Sequence, residues 1–202
     1  MTQPKTAVPV AVFLSGGGRS LQNLIEHQRR GLLPGIEFQL AISSSSKVRG
    51  IEVARNAGID TRVVLKSTFP KPDAYTEAMF GPCRDKGIQL VVMAGFLKHV
   101  CIPKDYTGRV INIHPSLLPS FGGAGMYGNR VHQAAVDRGV QFSGCTVHYV
   151  DNDFDNGPII LQRSCTVADD DTAESLAARV FQLECEALPT ALIKTVSLLG
   201  QV

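Results

Sequence analysis

Short apolar runs rich in β-branched residues recur along this chain, separated by stretches with helical spacing of apolar positions. That alternation restricts the possible folds more than any other feature. Residues 8–14, 38–42, 61–65, 90–96 and 110–113 read as strands. A helix is expected from Leu21 to near Gly31, a second over 50–57 and a third over 72–86. Pro72 falls in the first turn of the third, where its missing N–H costs nothing. Strands that are apolar throughout, rather than alternately, must be covered on both faces, which is the condition of a parallel sheet between helices. The expected class is therefore α/β, a doubly wound, mostly parallel sheet with helices on both faces.

After Asn112 the texture changes. "SFGGAGMYGN" is a glycine-rich loop, and a helix follows over about 129–138. "SGCTVHYV" alternates as a strand, and "PIILQRSCTV" reads as its antiparallel neighbour. Asp171 and Glu174 have the spacing of a capping box at the head of a long C-terminal helix. With no linker or repeat, the chain reads as one domain over 1–202.

Composition removes several classes. A net charge of +2, with no basic run interleaved with aromatics, gives no nucleic-acid face. No apolar stretch reaches the roughly 20 residues that span a bilayer. The apolar run before "SGGG" is too short for a signal peptide and reads better as the first strand. The five cysteines lack any CxxC pair, which argues against disulfides or zinc and for a reducing cytoplasm.

"SGGGRS" (15–20) follows the first strand and opens the first helix. Glycines admit close approach to an anion, and a helix N-terminus offers unpaired N–H groups, so a monophosphate is the expected ligand. A dinucleotide fingerprint needs glycine where Leu21 stands and an acid where Ser43 to Ser46 stand. No Gly-Lys-Ser/Thr follows, so a P-loop fails too. The bland alternative is a tight turn.

"NIHPSLLP" (112–119) carries the other signal. Residues two apart on a strand face the same way, so Asn112 and His114 point together. Pro115 holds His114 in extended geometry. A donor and an imidazole at the carboxyl end of a sheet are suited to stabilising an oxyanion and moving a proton. The competing reading is a satisfied core histidine beside a turn asparagine. In "DNDFDNGP" (151–158), Asp151, Asp153 and Asp155 resemble the start of a calcium loop, but Asn156 stands where glycine is required and Gln162 where glutamate is. Asp151 and Asp153 read by themselves as a solvated acidic turn, whereas Asn-Gly-Pro fixes Asp155 where it can orient an imidazole. His27, His99, His132 and His148 have no ligand spacing, and His148 reads as structural. Met126 and Tyr127 either face a ligand or cover the core.

Taken in order, "SGGG", "AGFLKHV", "NIHPSLLPSF", "GGAGMYG", "SGCTVHYVD" and "DNGPIILQ" resemble the phosphoribosylglycinamide formyltransferases, folate-dependent enzymes of purine synthesis. The resemblance spans essentially the whole chain and implies a Rossmann-like formyltransferase fold. It also implies 10-formyltetrahydrofolate as cosubstrate, 5-phosphoribosylglycinamide as acceptor, and no metal. By it, Asn112, His114 and Asp155 are the catalytic trio. Gly17, Gly18, Arg19 and Ser20 meet the substrate phosphate, and Glu184 meets the nucleotide. Leu97, Lys98, His99 and Val100, with Asn112, Asp151, Asn152, Asp153 and Phe154, line the folate pocket. The family often has Gly-Asn-Gly-Ser-Asn where this chain has Gly-Gly-Gly-Arg-Ser. A basic residue that some members use for the folate tail aligns with Pro72, and Lys71 is the candidate to replace it. The implied partners are small molecules, with neither nucleic acid nor membrane, and a homodimer is left open. A deformylating hydrolase is expected to carry a domain ahead of this fold, and a methionyl-tRNA formyltransferase one after it. A non-catalytic nucleotide-binding module would not need the trio.

Overall fold

The computed structural model describes residues 7–199, so the ends of the expected 1–202 domain, residues 1–6 and 200–202, lie outside the described residues. The chain runs β1 (Val8–Leu14), α1 (Arg19–Arg29), β2 (Ile36–Ser43), α2 (Arg49–Asn56), β3 (Asp60–Val63) and α3 (Pro72–Asp85). It continues through β4 (Leu90–Met93), β5 (Val110–His114), α4 (Asn129–Arg138), β6 (Phe142–Tyr149), β7 (Ile159–Thr166) and α5 (Ala173–Leu199). The strands form one sheet in the order β3-β2-β1-β4-β5-β6-β7. Pairs from β3 through β5 are parallel, while β5–β6 and β6–β7 are antiparallel.

β1 shows why both faces are covered. Val10, Val12 and Leu14 pack with Leu21 and Leu24 of α1 and Leu176 and Val180 of α5. Ala11 and Phe13 pack on the other face with Tyr75, Met79 and Phe80 of α3. Each large aliphatic or aromatic side chain sealed this way stabilises the fold by about 1.5–3 kcal/mol. The order also reverses at β1: the chain moves outward to β2 and β3, then returns to place β4 on the other side. The crevice beyond the carboxyl ends of β1 and β4 is where such sheets take ligands.

Three local expectations are corrected. The strand expected over 90–96 stops at Met93, because Gly95 at φ 70° turns the chain and its carbonyl accepts the Ser15 N–H. β3 ends two residues earlier than expected, at Val63. The capping box lies one residue later than the Asp171–Glu174 pair: Thr172 Oγ1 accepts the Ser175 N–H and Ser175 Oγ accepts the Thr172 N–H. Asp171 is instead taken by Arg179 at 2.6 Å, and Glu174 accepts from Asn129.

α5 contains Pro189, which has no N–H to give to the carbonyl of Cys185 four residues before it. Asn23 of α1 donates to that carbonyl at 2.9 Å. The gap in the α5 ladder thus becomes a tie between α1 and α5, one turn from the residues that face the cleft.

Candidate active site

β5 and β6 pair antiparallel with Asn112 directly opposite His148. The Asn112 amide donates to His148 Nε2 at 3.2 Å, and His148 Nδ1 lies 2.8 Å from the Tyr149 carbonyl. That carbonyl only accepts, so Nδ1 carries the hydrogen and Nε2 is free to accept. Burial lowers the His148 pKa and keeps the ring neutral, outweighing Tyr149 and Asp155, which act the other way. Asn112 is therefore held with its amide nitrogen toward the imidazole, and its second N–H has no acceptor among the described residues.

His114, at the end of the same strand, is 4% exposed. Its Nε2 donates to the carbonyl of Phe121 at 2.9 Å, and its Nδ1 lies 3.4 Å from Asp155 Oδ2. Phe121 and Asp155 are the two non-glycine residues with positive φ among the described residues, at 53° and 55°. Such backbones cost about 1–3 kcal/mol each and persist only where their surroundings hold them. Here both stand against His114. The Gly123 N–H donates to Asp155 Oδ2 at 2.9 Å, drawing the glycine-rich loop onto the carboxylate. A Cβ at Gly122 would stand 2.6 Å from Leu118 Cδ2 and 3.3 Å from Asp155 Cβ, so any larger residue would push against both side chains. On the other side, Gly157 rests on the Tyr149 carbonyl with no room for a side chain, and so closes the turn that presents Asp155.

These groups lie midway along a cleft of about 480 Å³ at the sheet's switch point. The end of β4 and the loops after β4 and β6 give one end an apolar wall of Met93, Phe96, Leu97, Val100, Val150 and Phe154, with the His99 ring 5.0 Å from that of Phe154, and add the charged Lys98, Asp151 and Asp153 to its lining. The opposite end is bounded by Arg19 and Ser20 of α1 and by Ala177, Phe181 and Glu184 along one face of α5. Burial pushes the Glu184 carboxyl up to about 7, with Arg19 opposing it only in part.

Most of the expected site residues meet here. Asn112, His114, Asp155, Arg19, Ser20, Glu184, Leu97, Lys98, His99, Val100, Asp151, Asp153 and Phe154 all line the cleft. Asn152 stands behind the wall, where its Oδ1 accepts the Ile102 N–H at 2.8 Å and braces the loops after β4 and β6. Lys71 caps α3 outside the lining residues, and Gly17 and Gly18 adjoin the cleft without lining it. Gly18 has a reason internal to the fold: its φ is 72°, and a Cβ would lie 2.6 Å from Gly50 Cα. Asp151 accepts from the Asp153 N–H and the Asn156 amide, forming the acidic turn expected of the local sequence, at the edge of the cleft.

His148, read from sequence as structural, is a member of the central cluster. Its partnership with Asn112 depends on strand register, which no local pattern carries. His132 of α4 also lines the cleft, and no sequence signal marks it: it is 5% exposed, its Nδ1 has no partner, and burial with His114 nearby lowers its pKa. Met126 and Tyr127 face the cleft rather than cover the core.

A family profile described as formyl transferase matches residues 8–192. A chloroplastic phosphoribosylglycinamide formyltransferase of Vigna unguiculata is 39% identical over 87% of this chain, which spans 56% of that relative. The trifunctional purine biosynthetic protein adenosine-3 of Gallus gallus is 36% identical over 92% of the chain, which spans 18% of it. The crystal structure of phosphoribosylglycinamide formyltransferase from Bacillus halodurans superposes with a TM-score of 0.85 at 32% identity, covering 94% of this chain and 95% of that one.

Proposed function

Because the chain belongs to the formyl transferase family, we propose that it transfers the formyl group of 10-formyltetrahydrofolate to the amine of 5-phosphoribosylglycinamide. One observation carries the reading: a donor, an imidazole and a carboxylate meet at the middle of a cleft with one apolar end and one cationic end. The apolar end suits a flat heterocycle, and the end at α1 suits a phosphate. The two substrates would then meet at Asn112 and His114.

The amine nitrogen attacks the formyl carbon, and the carbonyl oxygen takes the negative charge of a tetrahedral intermediate. The second N–H of Asn112 is the donor for that oxygen. The C–N10 bond then breaks, and the proton lost from the attacking nitrogen must reach N10 of the departing tetrahydrofolate. His114 mediates this transfer while Asp155, 3.4 Å away, balances its imidazolium form. His148 contributes by fixing the Asn112 amide rather than by touching the reacting atoms.

The test is folate absorbance with and without the nucleotide. Product that appears only with nucleotide supports the transfer. Product without nucleotide points to hydrolysis, and no product in either case leaves a binding module.

A further inference from the structure

We propose that Phe181 is a positioning residue for the nucleotide substrate: its ring seats the Arg19 guanidinium so that the guanidinium N–H groups face the phosphate. This rests on the proposed function of the cleft. Arg19 is the first residue of α1, so its charge stands at the positive end of the helix dipole, an unfavourable place for a cation. No acidic residue occupies the first turn, and no side chain caps it. Arg19 makes no ion pair or hydrogen bond among the described residues. What holds it is a ring: the guanidinium carbon lies 3.6 Å from the Phe181 centroid.

The neighbouring chemistry points to a ligand. Glu184, on the same face of α5, has no hydrogen-bond partner among the described residues and borders the same cleft. Arg19 stacks on the ring instead of pairing with this carboxylate, and stacking leaves the five N–H donors at the rim of the guanidinium unspent. Ala177, one turn before Phe181, keeps the wall beside the ring low. The relative position of the two helices is fixed by the Asn23 bond to the Cys185 carbonyl, one turn beyond Arg19 and one residue beyond Glu184. A long, rotamer-rich side chain is therefore ordered before the substrate arrives, which lowers the entropic cost of gripping a phosphate. It also accounts for an arginine in the Gly-Gly-Gly-Arg-Ser loop, where the family often has only small polar residues.

The test compares Phe181→Leu, which keeps bulk and loses the π-face, with Phe181→Tyr, which keeps both. An arginine that must be ordered on binding instead of beforehand corresponds to about two- to tenfold in affinity. Phe181→Leu should raise the nucleotide KM and the Kd for ribose 5-phosphate by about that factor. Its kcat and its folate KM should stay at the wild-type values, while its melting temperature should fall by only about 1–4 °C as the cation–π contact is lost. Phe181→Tyr should restore affinity, and Phe181→Leu added to Arg19→Gln should weaken binding no further than Arg19→Gln alone. An unchanged Kd in Phe181→Leu, an undiminished effect in the Arg19→Gln background, or an equal rise in the folate KM would each overturn the proposal. If the wild type binds ribose 5-phosphate but transfers no formyl group, the functional reading fails while the Kd series still decides the role of Phe181.

Discussion

Around His114 the side chains of Asn112, His148 and Asp155 are tied into the protein, with His132 Nδ1 the exception, whereas Arg19, Ser20 and Glu184, at one end of the same cleft, have no side-chain hydrogen-bond partner among the described residues. Asn112 is bound to His148, His114 to Phe121 and Asp155, and Asp155 to Gly123. Two strained backbones and two tightly packed glycines support that centre. The α1–α5 end has one stacked guanidinium and one raised carboxyl. On the proposed function, the difference separates two jobs. Groups that act on a transition state gain from being fixed beforehand, because reorganisation during reaction costs rate. Groups that hold a ground-state ligand need hydrogen-bonding capacity still to give. Substitutions at the centre should therefore be read in kcat, and those at the α1–α5 end in KM.

The largest expected effect is that of Asn112→Ala. It removes the free N–H assigned to the oxyanion, which typically costs ~100- to 1000-fold in kcat with little change in either KM. Single-turnover kinetics at saturating substrates measure it. A kcat within a few-fold of wild type would place the oxyanion elsewhere and break the comparison at its strongest point.

Asp155→Asn comes next, at about 100-fold in kcat. Asparagine retains an oxygen for the Gly123 N–H and tolerates positive φ well, so the turn should survive and the melting temperature should barely move. Only the charge facing His114 is lost. If turnover persists while the melting temperature falls, the carboxylate serves the turn and not the reaction.

His148→Ala should lower kcat by about tenfold to 100-fold, the range expected when a reacting group is misplaced rather than removed. His148→Gln, which still offers an acceptor to the Asn112 amide, should recover part of it. In the Asn112→Ala background the His148 substitution should add almost nothing, because its effect runs through that amide. Full additivity would show that His148 acts on its own.

The centre of the site is more legible in the sequence than its ends, and the reason is the range of the information. Asn112 and His114 share a strand, and a period of two plus Pro115 decides that they point together. Asp155 is announced by its own turn. His148 joins them only through the antiparallel pairing of β5 and β6, a nonlocal fact. Phe181 is likewise one apolar position in a long amphipathic helix until α5 packs against α1. The capping box is displaced by one residue because two overlapping pairs fit the pattern, and the pull of Arg179 on Asp171 decides between them. Gly18 is a different case: the feature is legible, yet what demands it is Gly50 rather than an anion. A Gly18→Val variant would thus report on folding and not on phosphate.

The smallest effect, and the sharpest test of the unpartnered end, is Glu184→Gln. Burial raises the folded carboxyl to about 7 from an ordinary 4.5. Below the unfolded value both states hold the proton, and the group does not favour unfolding. Between the two values the unfolded chain releases its proton while the folded protein keeps it, so stability falls as pH rises. Above about 7 both states are ionised and the loss is complete. Glutamine resembles the neutral acid at every pH. The variant should therefore melt with wild type near pH 4.5 and progressively above it as pH rises, levelling off beyond about pH 7. The plateau should be about 3 kcal/mol, roughly 6–12 °C for a chain of this size. In the proposed reaction, one acceptor lost toward the nucleotide should raise its KM by about fivefold and leave kcat alone. A stability gap that does not change with pH would mean that Glu184 already has a partner in the free protein. The α1–α5 end would then be tied down like the centre, and the division between fixed and unspent groups would have to be redrawn around Arg19 alone.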